Sequence, residues 1–168
     1  MKSVKILGKR YNIEETFLNL HNKKIRVLPD LVWKLTKLKS LNLMRNQLVN
    51  LSDSIGTLVD LEYLYLSYNK LISLPESINN LNNLKYLEIM NNQLTSIPTL
   101  TSEIKYKIHI GNTSYEINNL NFDCEFLIFR YLTVPLDNLP FNLKELWLHH
   151  LIKNPQIKLP FGCVIRHY

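Results

Sequence analysis

Three stretches of this chain superimpose on one another: LKSLNLMRNQL from Leu38, LEYLYLSYNKL from Leu61 and LKYLEIMNNQL from Leu84. The offset is 23 residues both times, and each stretch obeys L-x-x-L-x-L-x-x-N-x-L. A fixed period of this size constrains the fold strongly, because one such unit cannot bury its own apolar face and must stack on its neighbours. Each unit runs on into a second apolar half: VNLSDSIGTLVD, ISLPESINNLNN and the shorter TSIPTL. An upstream segment, ETFLNLHNKKIRVLPDLVWKLTK, keeps Leu18, Leu20, Ile25, Leu28, Pro29, Val32 and Leu35 in the same frame. It has Lys23 where the asparagine belongs.

In the x-L-x-L-x core of each unit, alternate side chains point to opposite faces, the period of a strand. Leu41 and Leu43, Leu64 and Leu66, and Leu87 and Ile89 then face inward. A second apolar set, Ile55 and Leu58 or Ile78 and Leu81, returns from the other side. Asn46, Asn69 and Asn92 stand where the chain leaves the strand and bends. A buried amide can both donate to and accept from backbone groups that the bend releases, which a leucine cannot. A structural role is therefore the simpler reading, with a catalytic one as its remote alternative.

Residues 15 to 98 resemble the leucine-rich repeat family in these apolar positions and in the asparagine. The resemblance implies an α/β solenoid with a curved parallel β-sheet on the concave face, short helical or irregular turns on the convex face, and a cap at each end. It also implies that Asn46, Asn69 and Asn92 form a ladder. Residues 1–14 are expected as an N-terminal β-hairpin cap, 15–98 as repeats, and 99–168 as degenerate repeats with a C-terminal cap. Two related segments, VKILGKRYNI and KIHIGNTSYEI, place Gly8 and Gly111 where a hairpin turns. LPFNLKELWLHH repeats the leucine spacing through Leu143, Leu146 and Leu148, and NPQIKLPFGCVI resembles half of an FNIP-type repeat. One or two further strands are expected there, closed by bulky residues such as Phe126, Phe129 and Tyr131; a small separate α+β unit is the alternative. The chain up to Ile97 also resembles short leucine-rich repeat proteins of giant DNA viruses of amoebae, with which the absence of alanine agrees. That likeness implies action in a host cytoplasm.

The totals fit a single folded domain of 168 residues, 46% apolar and 20% charged. The longest apolar runs, such as FLIF, fall far short of the roughly 20 residues a membrane span needs. The basic start lacks the apolar core of a secretory signal. Cys124 and Cys163 are too few for a disulfide framework, so two free, mostly buried thiols in the cytoplasm are expected. The net charge of +6 is concentrated near the start, where residues 1 to 45 hold eleven Lys or Arg and three acids.

No phosphate loop, dinucleotide fingerprint, H-E-x-x-H or G-x-S-x-G occurs, and four glycines leave none for a glycine-rich cradle. His149, His150, Cys163 and His167 are the sole grouping of soft ligands, but only Cys163 and His167 have usable spacing. No metal or cofactor is expected. Cys124, in NFDCEFL, sits among acids and apolar groups that suppress its thiolate. The chain is not expected to be an enzyme.

Binding is expected on the outward strand positions, which form three columns. They are Phe17, Ser40, Tyr63 and Tyr86; Asn19, Asn42, Tyr65 and Glu88; and His21, Met44, Ser67 and Met90. His109 and Trp147 would extend the middle column, with Arg45, Tyr68 and Asn91 at its edge. Tyr63, Tyr65 and Tyr86, surrounded by Met44, Met90 and Glu88, make an exposed patch of the residue types that anchor protein interfaces. The plainer reading is that aromatic neighbours merely stabilise the sheet. A protein partner is the expectation. The second reading is an electrostatic binder of nucleic acid or anionic membrane through Lys2, Lys5, Lys9, Arg10, Lys23, Lys24 and Arg26.

Overall fold

The structure, a computed structural model, describes residues 2–94, 107–110, 126–129, 139, 143–149 and 157–167. The chain opens with an antiparallel hairpin, β1 (Ser3–Ile6) and β2 (Lys9–Asn12). Its two turn residues, Leu7 and Gly8, have φ of 47° and 84°. That pair of left-handed residues matches the twist of the flanking strands, and glycine adopts it without a Cβ clash. The hairpin sends Val4 and Ile6 into the core.

Among the described residues, eight parallel strands follow, stacked in chain order. They are β3 (Phe17–Asn19), β4 (Ser40–Asn42), β5 (Tyr63–Tyr65), β6 (Tyr86–Glu88), β7 (Lys107–Ile110), β8 (Phe126–Phe129), β9 (Glu145–Leu148) and β10 (Val164–His167). The register aligns Leu18, Leu41, Leu64, Leu87, Ile108, Leu127, Leu146 and Ile165. Leu18, Leu41, Leu64, Leu87, Leu127 and Leu146 are fully buried. Strand-period leucines thus form one continuous column through the stack.

The return half of each repeat is a single 3-10 turn: η1 (Asp30–Lys34), η2 (Asp53–Thr57) and η3 (Glu76–Asn80). Each opens after an extended Pro29, Ser52 or Pro75, with an acid in its first turn where the free N–H groups favour negative charge. Ser52 also accepts from the Ser54 N–H. Val32, Ile55 and Ile78 close the core from this side, with Leu35, Leu58 and Leu81 just beyond.

Between strand and return half the chain bends through a left-handed residue in every repeat: Asn22, Arg45, Tyr68 and Asn91, with φ of 55°, 54°, 59° and 52°. Three of these amides find a carbonyl in the next repeat, Asn22 to Met44, Arg45 to Ser67 and Tyr68 to Met90. The cost of the left-handed backbone is offset by these bonds.

Two expectations change. The last 50 residues hold three strands, β8 to β10, where one or two were anticipated, and they continue the same sheet through β7 as expected. The segment beginning at Lys107 is not a hairpin: β7 is paired on both sides, to β6 and to β8, which leaves no edge for an antiparallel partner. Gly111, Cys124 and Tyr131 lie outside the described residues, as do the side chains of Phe126 and Phe129. The outermost strand, β10, is exposed along its length, and no C-terminal cap is seen among the described residues.

Candidate partner-binding face

Parallel pairing brings the outward positions of adjacent repeats side by side. Phe17, Ser40, Tyr63 and Tyr86 share one column, and Asn19, Asn42, Tyr65 and Glu88 the next. By register the second column continues through His109, Ile128, Trp147 and Arg166. Tyr65 and Tyr86 pack with ring centroids 5.3 Å apart at 49°. Tyr63 is exposed, while Tyr65, Tyr86 and Met44 are half-buried. Burial, then the Glu88 charge and Tyr63, raise the Tyr65 phenol above its usual value, because each disfavours the phenolate.

The face is not uniformly open. Glu88 and Met90, expected among its exposed residues, are only 8% and 9% accessible, and Ser67 is wholly buried. Each is held by a neighbour: the Tyr86 hydroxyl donates to Glu88 Oε2 at 3.3 Å, and the Met90 N–H donates to Ser67 Oγ at 2.9 Å. Of the six residues anticipated as contacts, Tyr63, Tyr65, Tyr86 and Met44 therefore retain surface, whereas Glu88 and Met90 are buried. Further along, Trp147 Nε1 donates to Glu145 at 2.7 Å, and Arg166 pairs with the same carboxylate at 3.6 Å.

The three asparagines bind neighbouring repeats together. Asn46 Nδ2 donates to the Leu43 carbonyl of its own repeat and the Leu20 carbonyl of the one before, both at 2.9 Å. Its Oδ1 accepts from the Lys23 and Ile25 N–H groups. Asn69 does the same with Leu66, Leu43 and Leu48, and Asn92 with Ile89, Leu66 and Leu71. All three are buried, and their side chains consume donors and acceptors that the bends leave over. The first repeat has Lys23 in this position, so its own backbone N–H is served by Asn46 of the next.

The seven N-terminal cations are spread over two elements. Lys5, Lys9 and Arg10 are on the hairpin and Lys2 just before it, whereas Lys23, Lys24 and Arg26 lie in the bend after β3. Lys9 sits over the Tyr11 ring at 5.1 Å. A second cation-aromatic pair, Arg45 over Tyr68 at 5.4 Å, marks the bend edge and was legible only as two residues flanking the columns.

Cys163 is free and half-buried, and burial chiefly pushes its thiol up. His150 lies outside the described residues, and no group of three or more His, Cys, Asp or Glu gathers among the described ones.

A family model for the leucine-rich repeat matches residues 16–71 and again 36–94. It describes a repeat and not a catalytic family. Among solved structures the chain is similar to a leucine-rich repeat protein of Leptospira interrogans, at 21% identity and a TM-score of 0.47, covering 89% of this chain and 53% of that one. It is also similar to an internalin C2 of Listeria monocytogenes, at 18% identity and a TM-score of 0.47, covering 91% of this chain and 80% of that one. The chain thus spans about half the length of the Leptospira protein. No curated protein matches it in sequence. With the 23-residue period, the parallel one-strand-per-repeat sheet and the asparagine at three successive bends, residues 16–94 match the leucine-rich repeat model, and the chain folds as a leucine-rich repeat solenoid.

Proposed function

We propose that this chain is a non-enzymatic binding module that holds a protein partner against the outward face of its sheet, the concave face of the solenoid. The observation that carries this reading is the aromatic cluster of Tyr63, Tyr65 and Tyr86 at the middle of that face, with Tyr63 exposed and the Tyr65 and Tyr86 rings in contact. Rigid aromatic side chains with a polar tip lose little conformational entropy when a partner covers them, and they concentrate binding energy at interfaces. Met44 adds an adaptable apolar neighbour. Glu88 fixes the Tyr86 hydroxyl by accepting from it. The site of action we place in the cytoplasm, that of a host cell if the chain is viral; the scarcity of cysteine and the lack of alanine support this.

The test is a pull-down from lysate at about 50 and 200 mM salt, comparing the native chain with a Tyr65→Ser/Tyr86→Ser variant that retains its circular dichroism. A protein retained at both salt levels and lost from the variant supports the face. The second reading, electrostatic binding through the N-terminal cations, is favoured by eleven Lys or Arg against three acids in residues 1 to 45. It requires nucleic acid or lipid to be captured, released steeply by salt and indifferent to the tyrosines.

A further inference from the structure

Charge is distributed unequally between the two edges of the sheet. Ahead of the strands, cations and acids are paired across repeats: Lys37 with Asp60 at 3.4 Å, and Lys39 and Lys85 with Glu62. At the bends that follow the strands, Lys23, Lys24, Arg26, Arg45 and Lys70 are all exposed, and the bend sequences HNKKIR, MRNQLV and SYNKLI contain no acid. None of these five has an ion pair among the described residues. Lys24 and Lys70 share one column, with Gln47 between them, and adjacent repeats are spaced by about 4.8 Å. Five like charges on so short an edge repel one another, a cost that an acidic partner removes on binding.

Next to this edge is an apolar cleft of about 520 Å³ between the first two repeats, walled by Val27, Val49 and Leu51. Val27 is 82% exposed and Val49 42%. Arg26 belongs to both features: it lines the cleft, and its Nε donates to Gln47 Oε1 at 3.2 Å across the repeat boundary. The cleft's volume is in the range of pockets that receive a side chain or small ligand, roughly 300 to 1,000 Å³.

We propose that the bend edge of the first three repeats docks an acidic protein segment, its carboxylates along Lys23, Lys24, Arg45 and Lys70 and one of its apolar side chains in the cleft between Val27 and Val49. Nucleic acid fits this edge less well. Single-strand recognition needs free aromatic faces for base stacking, and the Tyr68 ring is already occupied by Arg45. Asp30, the one acid lining the cleft, also opposes a phosphate there while leaving an apolar side chain indifferent. The strip lies beside the tyrosine face and does not depend on it.

The probe is a fluorescent 12-residue peptide of glutamates with one central leucine, its binding to the full chain read by anisotropy at about 50 mM salt. Beside it run the same peptide with serine for leucine, and a 12-nucleotide oligo-dT. Lys24→Glu/Arg45→Glu is expected to weaken the leucine peptide by about tenfold or more, since charge reversal replaces attraction by repulsion. Val49→Asp, or serine in the peptide, is expected to weaken it several-fold, and Tyr65→Ser to leave it unchanged. Circular dichroism of each variant separates loss of binding from loss of fold. The proposal is overturned if the leucine peptide does not bind, if it ignores the rim substitutions, if serine serves as well as leucine, or if oligo-dT binds as tightly as the peptide.

Discussion

Gly56 lies so close to Ser77 of the next repeat that a Cβ at position 56 would stand 2.8 Å from the Ser77 carbonyl oxygen and 2.9 Å from Asn80 Nδ2. The η2 and η3 turns meet backbone to backbone there. An amide nitrogen at the end of a side chain can move, but the carbonyl is fixed in its own turn. Gly56→Ala is therefore expected to destabilise by about 1 to 3 kcal/mol, the cost of overpacking. A urea midpoint equal to that of the native chain would show that the turns have slack.

Asn69 is bonded to three backbone groups, two of them carbonyls at 2.9 Å in successive repeats. In Asn69→Leu these buried groups lose their partner, and the expected loss is on the order of 1 to 3 kcal/mol. Equilibrium denaturation checks it, and a neutral substitution would sink the account of the ladder.

The phenol of Tyr65 has its pKa raised by burial and by Glu88. Above the usual tyrosine value of about 10, the unfolded chain releases this proton while the folded chain still holds it. The folded state then binds more protons, so Tyr65 contributes stability that is present below that pH and lost as pH rises toward the raised value. Stability measured from neutral to strongly alkaline pH is expected to fall less steeply there in Tyr65→Phe. Identical slopes in the two proteins would refute the assignment.

Ile6 is wholly buried although it belongs to the hairpin that precedes the repeats. If the hairpin covers the first repeat's core, Ile6→Ala costs about 2 to 5 kcal/mol, as for other core truncations. Thermal unfolding of the variant decides the matter: a change under about 1 kcal/mol would make the hairpin an ornament.

Much of this architecture can be read directly from spacing. Leu41, Leu64 and Leu87 announce both the strand and its register, because a strict period leaves each unit one way to meet the next. The asparagines are legible for the same reason. The later strands were harder: Lys107–Ile110 and Phe126–Phe129 lack the asparagine and the return half, and each becomes a strand on the sheet edge offered by the one before it, β6 for β7 and β7 for β8. At the candidate face, alternation predicts which way Glu88 and Met90 point but not what lies beside them. Glu88 is covered beside Tyr86 of its own strand, whose hydroxyl it accepts from, and Met90 is tied to Ser67 of the preceding repeat, a contact that a single strand's pattern does not contain. The unpaired bend edge is written in three separated segments and becomes an edge only when they are stacked.

The column of inward side chains that is sealed at Leu18, Leu41, Leu64 and Leu146 ends at Ile165, which is 37% accessible. In a molecule held together by neighbour-to-neighbour contacts, the unit with one neighbour is the first to let go. Amide protons of β10 then exchange with solvent sooner than those of β4 and β5, and a protease finds its first foothold there.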